Sequence, residues 1–266
     1  MQKVKPDTAK SYLNAIRSFH LERNFSIEVF GDPRLDLLIR GGKRIYGDKG
    51  KKLRLPLTAS VLLRVLNEVT NDEEGINVKT ALCVAFAAFL RSGEFTWDTW
   101  TAEHHQFYLA RTHIQFNSND SVTLTLPSSK TDPYRSGATI PLAFSPNPSP
   151  LCPVRALRNL YSLYPRPPTH PLFSRPYGQP FNKQFVIAKI RELLLSAGIP
   201  SLGFSGHSIR KGAAVTAALN GVSRDDIKLL GRWKSDAVDN YLDSFYQSNR
   251  TSYQLQLNTQ LHRSNS

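Results

Sequence analysis

His207 and Arg210 lie three residues apart in Gly206-His207-Ser208-Ile209-Arg210. On a helix that spacing puts both side chains on one face, with their Cβ atoms about 5–6 Å apart. Near a helix start, where unpaired backbone N–H groups attract anions, such a pair suits a phosphate. The arginine offers a planar, always-charged fork for two non-bridging oxygens, and the histidine can move a proton near neutral pH. Tyr241 follows Arg210 by 31 residues (241 − 210) and would supply a nucleophile for that phosphate. A tyrosine hydroxyl of ordinary pKa, about 10, attacks only when cations stabilise the phenolate or a base removes the proton. An isolated His-x-x-Arg is more often a solvated surface pair, so the surroundings must carry the case.

Three other residues could serve the same chemistry, although a lysine on a turn is more often mere surface and a lone tryptophan more often core. Arg91, in Leu90-Arg91-Ser92-Gly93-Glu94, stands at the end of the most apolar run of the chain. Burying its charge would be costly without an anionic partner, and Glu94 could orient the guanidinium or merely pair with it. Lys130 occupies the turn Ser128-Ser129-Lys130-Thr131-Asp132-Pro133 after a strand, where a lysine can protonate a leaving alkoxide. Trp233 follows Gly231-Arg232 at a helix break, and its indole can touch a phosphate oxygen or simply pack.

The elements that must hold these residues can be read from periodicity and capping. Leu13, Ile16 and Phe19 recur at helical spacing, and Leu35 to Ile39 gives a second short helix, so the front of the chain reads as pieces of a small helical domain. Arg40 to Arg54 carries seven basic residues, one acid and four glycines, and is expected to be a linker lying on phosphates through Arg40, Lys43, Arg44, Lys49, Lys51, Lys52 and Arg54. A plain solvated linker is the alternative. A larger domain is expected to begin near Pro56, with Thr58 capping a helix through Val61, Leu62, Val65 and Leu66. After the acidic turn Asn71 to Gly75, the run Ala81 to Leu90 is apolar on nearly all sides and should be the central buried helix. Short alternating segments at His113 to Phe116, Ser121 to Leu126 and Ala138 to Leu142 predict a small antiparallel sheet. Helices are expected from Pro153 to about Leu163, from the Asn182 cap to before Gly198, and over 208–219, 223–230 and 235–247.

Composition narrows the partner. The 266 residues and 40% apolar content suffice for a real core, and 34 basic against 21 acidic residues leave a formal charge of +13. Thirteen of those cations and six acids fall in residues 1–54, a net +7 in a fifth of the chain. Such an excess points to a polyanion, with nucleic acid ahead of a membrane surface because no run of about 20 apolar residues and no basic amphipathic helix is present. Cys83 and Cys152 are isolated, which suggests neither a disulfide framework nor a zinc site, and the polar N-terminus carries no signal pattern. An intracellular protein is expected.

In the order Arg, Lys, His-x-x-Arg, Trp, Tyr, with these flanks, the chain resembles the tyrosine recombinases, or phage-type integrases, over nearly its whole length. Arg91 stands in the first arginine box, Lys130 at the β-hairpin lysine, His207 and Arg210 in the second box, Trp233 where many members have histidine, and Tyr241 at the nucleophile. Gly231-Arg232-Trp233-Lys234-Ser235-Asp236-Ala237 and Ser129-Lys130-Thr131-Asp132 are most similar to recombinases of eukaryotic Crypton and DIRS-type mobile elements.

The resemblance implies a mainly α fold with a small antiparallel sheet (α+β): a partial helical core-binding domain over 1–40, apparently lacking its first helices, a basic linker over 41–56, a catalytic domain over 57–248 and a polar tail over 249–266. It implies that Arg91 and Arg210 clamp a scissile phosphate, that His207 and Trp233 hold it and assist, and that Lys130 protonates the leaving 5′ oxygen while Tyr241 becomes joined to the 3′ phosphate. Double-stranded DNA would be the partner, with self-association on DNA as a dimer or tetramer, no metal or small-molecule cofactor, and a nuclear location. The interval from Trp233 to Tyr241 is one residue shorter than the family's, so Tyr246 stays open as the nucleophile. A non-catalytic DNA-binding descendant is the alternative, ahead of a relaxing topoisomerase-like enzyme and a helix-turn-helix regulator.

Overall fold

A computed structural model of the chain describes residues 4–46, 54–97, 107–129, 132, 134 and 136–242. Lys49, Lys51, Lys52, Lys130, Tyr246 and the 249–266 tail lie outside the described residues. The chain divides into two compact units, 1–53 and 54–266.

In the first unit, α1 (Pro6–Glu22) starts with proline in its first turn, where the missing N–H is no loss. It ends where Asn24 turns left-handed (φ 56°) and the Phe25 N–H donates to His20 O at 2.9 Å. After a 3-10 turn over Glu28–Gly31 comes α2 (Pro33–Tyr46). The apolar pattern predicts an end of this helix near Ile39 and a linker from residue 41, whereas the structure keeps Gly41 and Gly42 helical. A Cβ built on Gly42 would lie 3.5 Å from Pro6 Cγ, so packing against α1 overrides the poor helix propensity of glycine there. No described residue of this unit is buried.

The second unit has the core. Helix α3 (Ala59–Asn67) buries Leu62, Val65 and Leu66. Thr58 stands at its N-cap position without a capping side-chain bond, its hydroxyl lying instead 3.1 Å from the Ser60 hydroxyl. Helix α4 (Glu73–Ala87) begins inside the acidic turn, where the Asp72 carboxylate accepts from the Gly75 N–H at 2.7 Å. It packs against α6 (Pro153–Leu163) and α8 (Ser208–Leu219), hence its apolar character on all sides. The strands β1 (Ile114–Phe116), β2 (Val122–Leu126) and β3 (Ala138–Leu142) form an antiparallel sheet in the order β1-β2-β3, with Leu124 opposite both Ile114 and Ile140. Val122, Leu124 and Leu126 point inward, as the alternation requires.

A four-residue helix, α5 (Ser92–Phe95), follows α4, and α7 (Lys183–Ser196) packs against α3 and α5 under an Asn182 cap. Helix α9 (Arg224–Leu230) is capped by Ser223. The helix expected from Ser235 opens instead as a 3-10 turn, Asp236–Val238, and becomes α-helical at 239–242, where the described residues end. A second small core of Phe89, Ala213, Ala214, Ile227, Trp233, Val238 and Leu242 lies between α8, α9 and the end of α4. No described helix is long and apolar enough to cross a membrane. The expected fold class, mainly helical with one small antiparallel sheet, is the one found.

Candidate active site

The site is built where two helices end. Past α4, Phe89 adopts φ 51°, the Leu90 N–H donates to Ala85 O at 2.8 Å, and the Phe89 N–H donates to Phe86 O at 3.2 Å. This is the left-handed helix stop that glycine usually makes, and a side chain there costs roughly 1–2 kcal/mol. The buried Phe89 ring, edge-on to Trp233 at 6.4 Å, offsets that strain. Past α9 the same geometry recurs: Arg232 has φ 56°, the Trp233 N–H donates to Lys228 O at 3.0 Å, and the Arg232 N–H donates to Leu229 O at 2.9 Å. The indole folds back over Gly231, where a Cβ would sit 1.6 Å from Trp233 Cζ3, so only glycine fits.

Arg210 reaches between the two helix ends from α8 and is 0% exposed. Its Nη1 donates to Phe89 O at 2.8 Å and its Nη2 to Gly231 O. Both acceptors are C-terminal carbonyls, the negative ends of helix dipoles. The guanidinium carbon lies 4.3 Å from the Trp233 ring centroid, and Nη1 stands 3.9 Å from Glu94 Oε2. Burial, then the neighbouring Arg91 charge, lowers its pKa to about 10. The Nε is buried without a hydrogen-bond partner.

Glu94 is the hub. Its Oε1 accepts from Arg91 Nη1 at 2.7 Å, and its Oε2 accepts from the Arg91 backbone N–H at 2.8 Å and from Arg232 Nη2 at 3.2 Å. Arg232 Nη1 also donates to Ala88 O at 2.8 Å, so this side chain ties the end of α9 to the end of α4. Burial is the main cause of a lowered Arg232 pKa, and the Glu94 charge works against it. Among the described residues, three guanidiniums against one carboxylate leave a surplus of +2 (3 − 1) in a largely desolvated cluster. A surplus of that kind is costly unless an anion joins it.

Tyr241 is half-buried with its ring 5.1 Å from Trp233, inclined at 62°. The turn before it is clamped. Arg224 grips Asp239 through Nε (2.6 Å) and Nη2 (2.8 Å), Nη2 also donates to Asp236 at 2.9 Å, and Lys228 holds Asp236 at 3.0 Å. Hydrogen bonds to Arg224 hold both carboxyl groups below the usual carboxylate range.

His207 is exposed at the N-cap of α8, beside the first arginine box: a Cβ on Gly206 would meet Ser92 Oγ at 2.6 Å. Lys183, at the start of α7, reaches the same box, its Cε 3.0 Å from a Cβ built on Gly93. Among the described residues no three His, Cys, Asp or Glu side chains gather into a metal-binding group.

Of the predicted site residues, the structure brings Arg91, Arg210, Trp233 and Tyr241 together, with His207 on the adjoining surface. Two geometries differ from expectation. The Arg210 fork, expected on phosphate oxygens, is engaged by two carbonyls and sealed from solvent. Trp233, at 8% exposure, packs between Phe89 and Tyr241. Of the expected DNA-contacting cations, Arg40, Lys43 and Arg44 lie on α2, and Arg54 opens the second unit, its carbonyl accepting from Lys211 Nζ at 2.9 Å. Arg232 is the residue sequence analysis passed over. Its signal was the short Trp233–Tyr241 interval of eight (241 − 233), which becomes nine when counted from Arg232 (241 − 232).

No family model matches the chain, and no curated protein matches it. Several solved structures do. XerH site-specific recombinase bound to a palindromic difH substrate, in a post-cleavage complex, aligns with a TM-score of 0.55 at 14% identity, over 78% of this chain and 54% of that one. The chain thus spans about half the length of that XerH. XerA recombinase aligns at 0.52 with 16% identity, over 90% of this chain and 82% of the other. The Tn1549 transposon integrase, in complex with a circular intermediate DNA, aligns at 0.52 with 12% identity, over 91% and 82%. The fold is that of the tyrosine-recombinase catalytic domain. At these identities the likeness is one of backbone.

Proposed function

We propose that the chain cuts and rejoins double-stranded DNA through a covalent phosphotyrosine. The phenol of Tyr241 gives up its proton to water, favoured by the guanidinium charges, its oxygen attacks a backbone phosphorus, the bond to the 5′ oxygen breaks, and the tyrosine is left esterified to the 3′ phosphate. A 5′ hydroxyl from the same or another strand then reverses the step, so the ester energy is kept and the backbone is resealed. Arg91, Arg210 and Arg232 supply the positive charge for the phosphorane oxygens, His207 assists at the rim, and Lys130 delivers the proton to the leaving oxygen. Trp233 carries Tyr241 and shields Arg210.

The observation that supports this reading best is the convergence of three guanidiniums on one carboxylate, with a tyrosine one indole away. Such an unbalanced cluster suits a phosphodiester better than it suits stability alone. Several solved structures of the same fold were determined on DNA, including XerH on difH and a lambda integrase dimer on a core site, in line with DNA as the partner and with self-association on it. A mobile-element origin of the Crypton or DIRS type, a nuclear location, and DNA contacts by the 40–54 cations belong to the same proposal.

The sealed Arg210 fork favours the second reading, a DNA-binding protein without strand exchange. A nicked suicide duplex separates the two. A denaturation-resistant adduct that disappears in Tyr241→Phe supports the enzyme, and Arg91→Ala should slow adduct formation about a hundredfold or more. Tight binding with no adduct on any duplex supports the alternative.

A further inference from the structure

The three arginines differ in what they can reach. Arg210 is fully buried with both Nη groups on carbonyls, whereas the Arg91 and Arg232 side chains keep 18% and 20% of their surface open to solvent. We propose that Arg232 is a phosphate-binding catalytic residue, and that Arg91 and Arg232 together make the direct contacts to the non-bridging oxygens while Arg210 supplies charge from behind. The inference rests on the phosphotyrosine reading above.

Four observations carry it. Glu94 holds the two forks on its two oxygens, Arg91 on Oε1 and Arg232 on Oε2, and both side chains remain partly open to solvent. A guanidinium has five N–H donors. Among the described residues Arg91 spends only Nη1, and Arg232 leaves Nε uncommitted. Second, Arg232 sits at φ 56°, a conformation that suits glycine, and backbone strain of this kind concentrates at working sites.

Third, the residue that sequence comparison would place on the phosphate, Trp233, is committed to packing on Phe89, Arg210 and Tyr241. Fourth, the Arg224 clamp on Asp236 and Asp239 fixes the nine-residue step from Arg232 to Tyr241, which sets cation and nucleophile at a constant separation. The charge also balances. A phosphodiester brings one negative charge, and attack by a phenolate gives a phosphorane with two, matching the surplus of the three arginines over Glu94.

The decisive variant is Arg232→Gly, because glycine is at ease at this φ and spares the helix end. On the full chain, calorimetric titration with inorganic phosphate should show affinity about tenfold weaker in Arg232→Gly than in the unsubstituted protein, with Arg232→Lys in between and the protein still folded. Equal phosphate affinity, or no phosphate binding by the unsubstituted chain, overturns the proposal. On the nicked suicide duplex, Arg232→Gly should form adduct about a hundredfold more slowly at undiminished duplex affinity, and millimolar guanidinium chloride should restore part of the rate. Adduct at the unsubstituted rate, or a lower melting temperature with no guanidinium response, assigns Arg232 a structural role and overturns the proposal. Absence of adduct from the unsubstituted protein defeats the phosphotyrosine reading instead, and the phosphate titration still decides whether Arg232 binds the anion.

Discussion

Between Pro6 and Tyr46, helices of 17 and 14 residues bury no described residue, whereas α4 alone, with 15 residues, buries ten. The contrast shows where the stability of each helix comes from. In α4 two residues in three leave water, and the helix is held by its neighbours. In α1 and α2, Tyr12, Ile16, Phe19, Leu37, Leu38 and Ile45 stay exposed, so these helices depend on their own propensity and on contact with each other. Isolated helices of that length are marginal in water. The unit with the higher density of positive charge is therefore the one with the least internal support.

Hydrogen exchange on the full chain tests that contrast most directly. Amides in α4 and α8 should exchange at least about a thousandfold more slowly than those in α1 and α2, since core helices open only with global unfolding. Added duplex DNA should slow α1 and α2 far more than α4. Equal protection in the free protein would erase the distinction.

A second test adds one methyl group to each unit. Gly212 on α8 lies against the Leu57 backbone, where a new Cβ would come within 1.8 Å of the carbonyl oxygen, so Gly212→Ala should lower the stability of the second unit by about 3 kcal/mol in denaturant unfolding. Exchange in α1 and α2 should not respond. Gly41 has nothing within 4 Å of its Cβ position, and Gly41→Ala should raise the helix content of the first unit, with a gain of about 0.5–1 kcal/mol seen in far-ultraviolet circular dichroism.

The smallest expected effect is on pH. Asp236 and Asp239 titrate below the usual carboxylate range because Arg224 bonds their ionised forms. The folded pKa is depressed, so the clamp's contribution is present above the unfolded value of about 3.9 and is lost as the pH falls through and below it. Amides at 236–242 should lose protection over that acid range, and in Arg224→Ala they should be less protected already at neutral pH, with little further acid dependence.

Much of the second unit was legible in the sequence, for reasons that can be located. The Ala81 to Leu90 run was expected to be a buried helix, and it is one as far as Ala87, beyond which Phe89 turns left-handed. Asn182 and Ser223 cap as read, accepting from Phe185 N–H and Asp226 N–H. The alternation of Val122, Leu124 and Leu126 set the face of the central strand. The failures were tertiary. Gly41-Gly42 reads as the start of a linker but lies inside a helix that packs against α1, and Thr58 looks like a cap until its hydroxyl is found beside that of Ser60.

At the site, it was the resemblance to the tyrosine recombinases that grouped Arg91, Arg210, Trp233 and Tyr241, since residue spacing alone says nothing of contacts across more than a hundred positions. Which arginine faces solvent was not readable. That depends on Phe89 and Arg232 turning left-handed without glycine, and local sequence carries no sign of a conformation imposed by packing. Glu94 could be read as a partner of Arg91 but not as the hub of three arginines, since Arg210 and Arg232 arrive from 116 (210 − 94) and 138 (232 − 94) residues away.

The two carbonyls that hold Arg210 have an evolutionary consequence. A peptide oxygen is present whatever amino acid a codon specifies, so point mutation at Phe89 or Gly231 changes how the acceptor is aimed but never deletes it. The vulnerable events are changes of length. An insertion or deletion of one residue in α4 or α9 would rotate a helix end by about 100°, turning the oxygen away and leaving an interior cation with nothing to face. Lineages carrying this gene should accumulate substitutions along both helices far more readily than gaps.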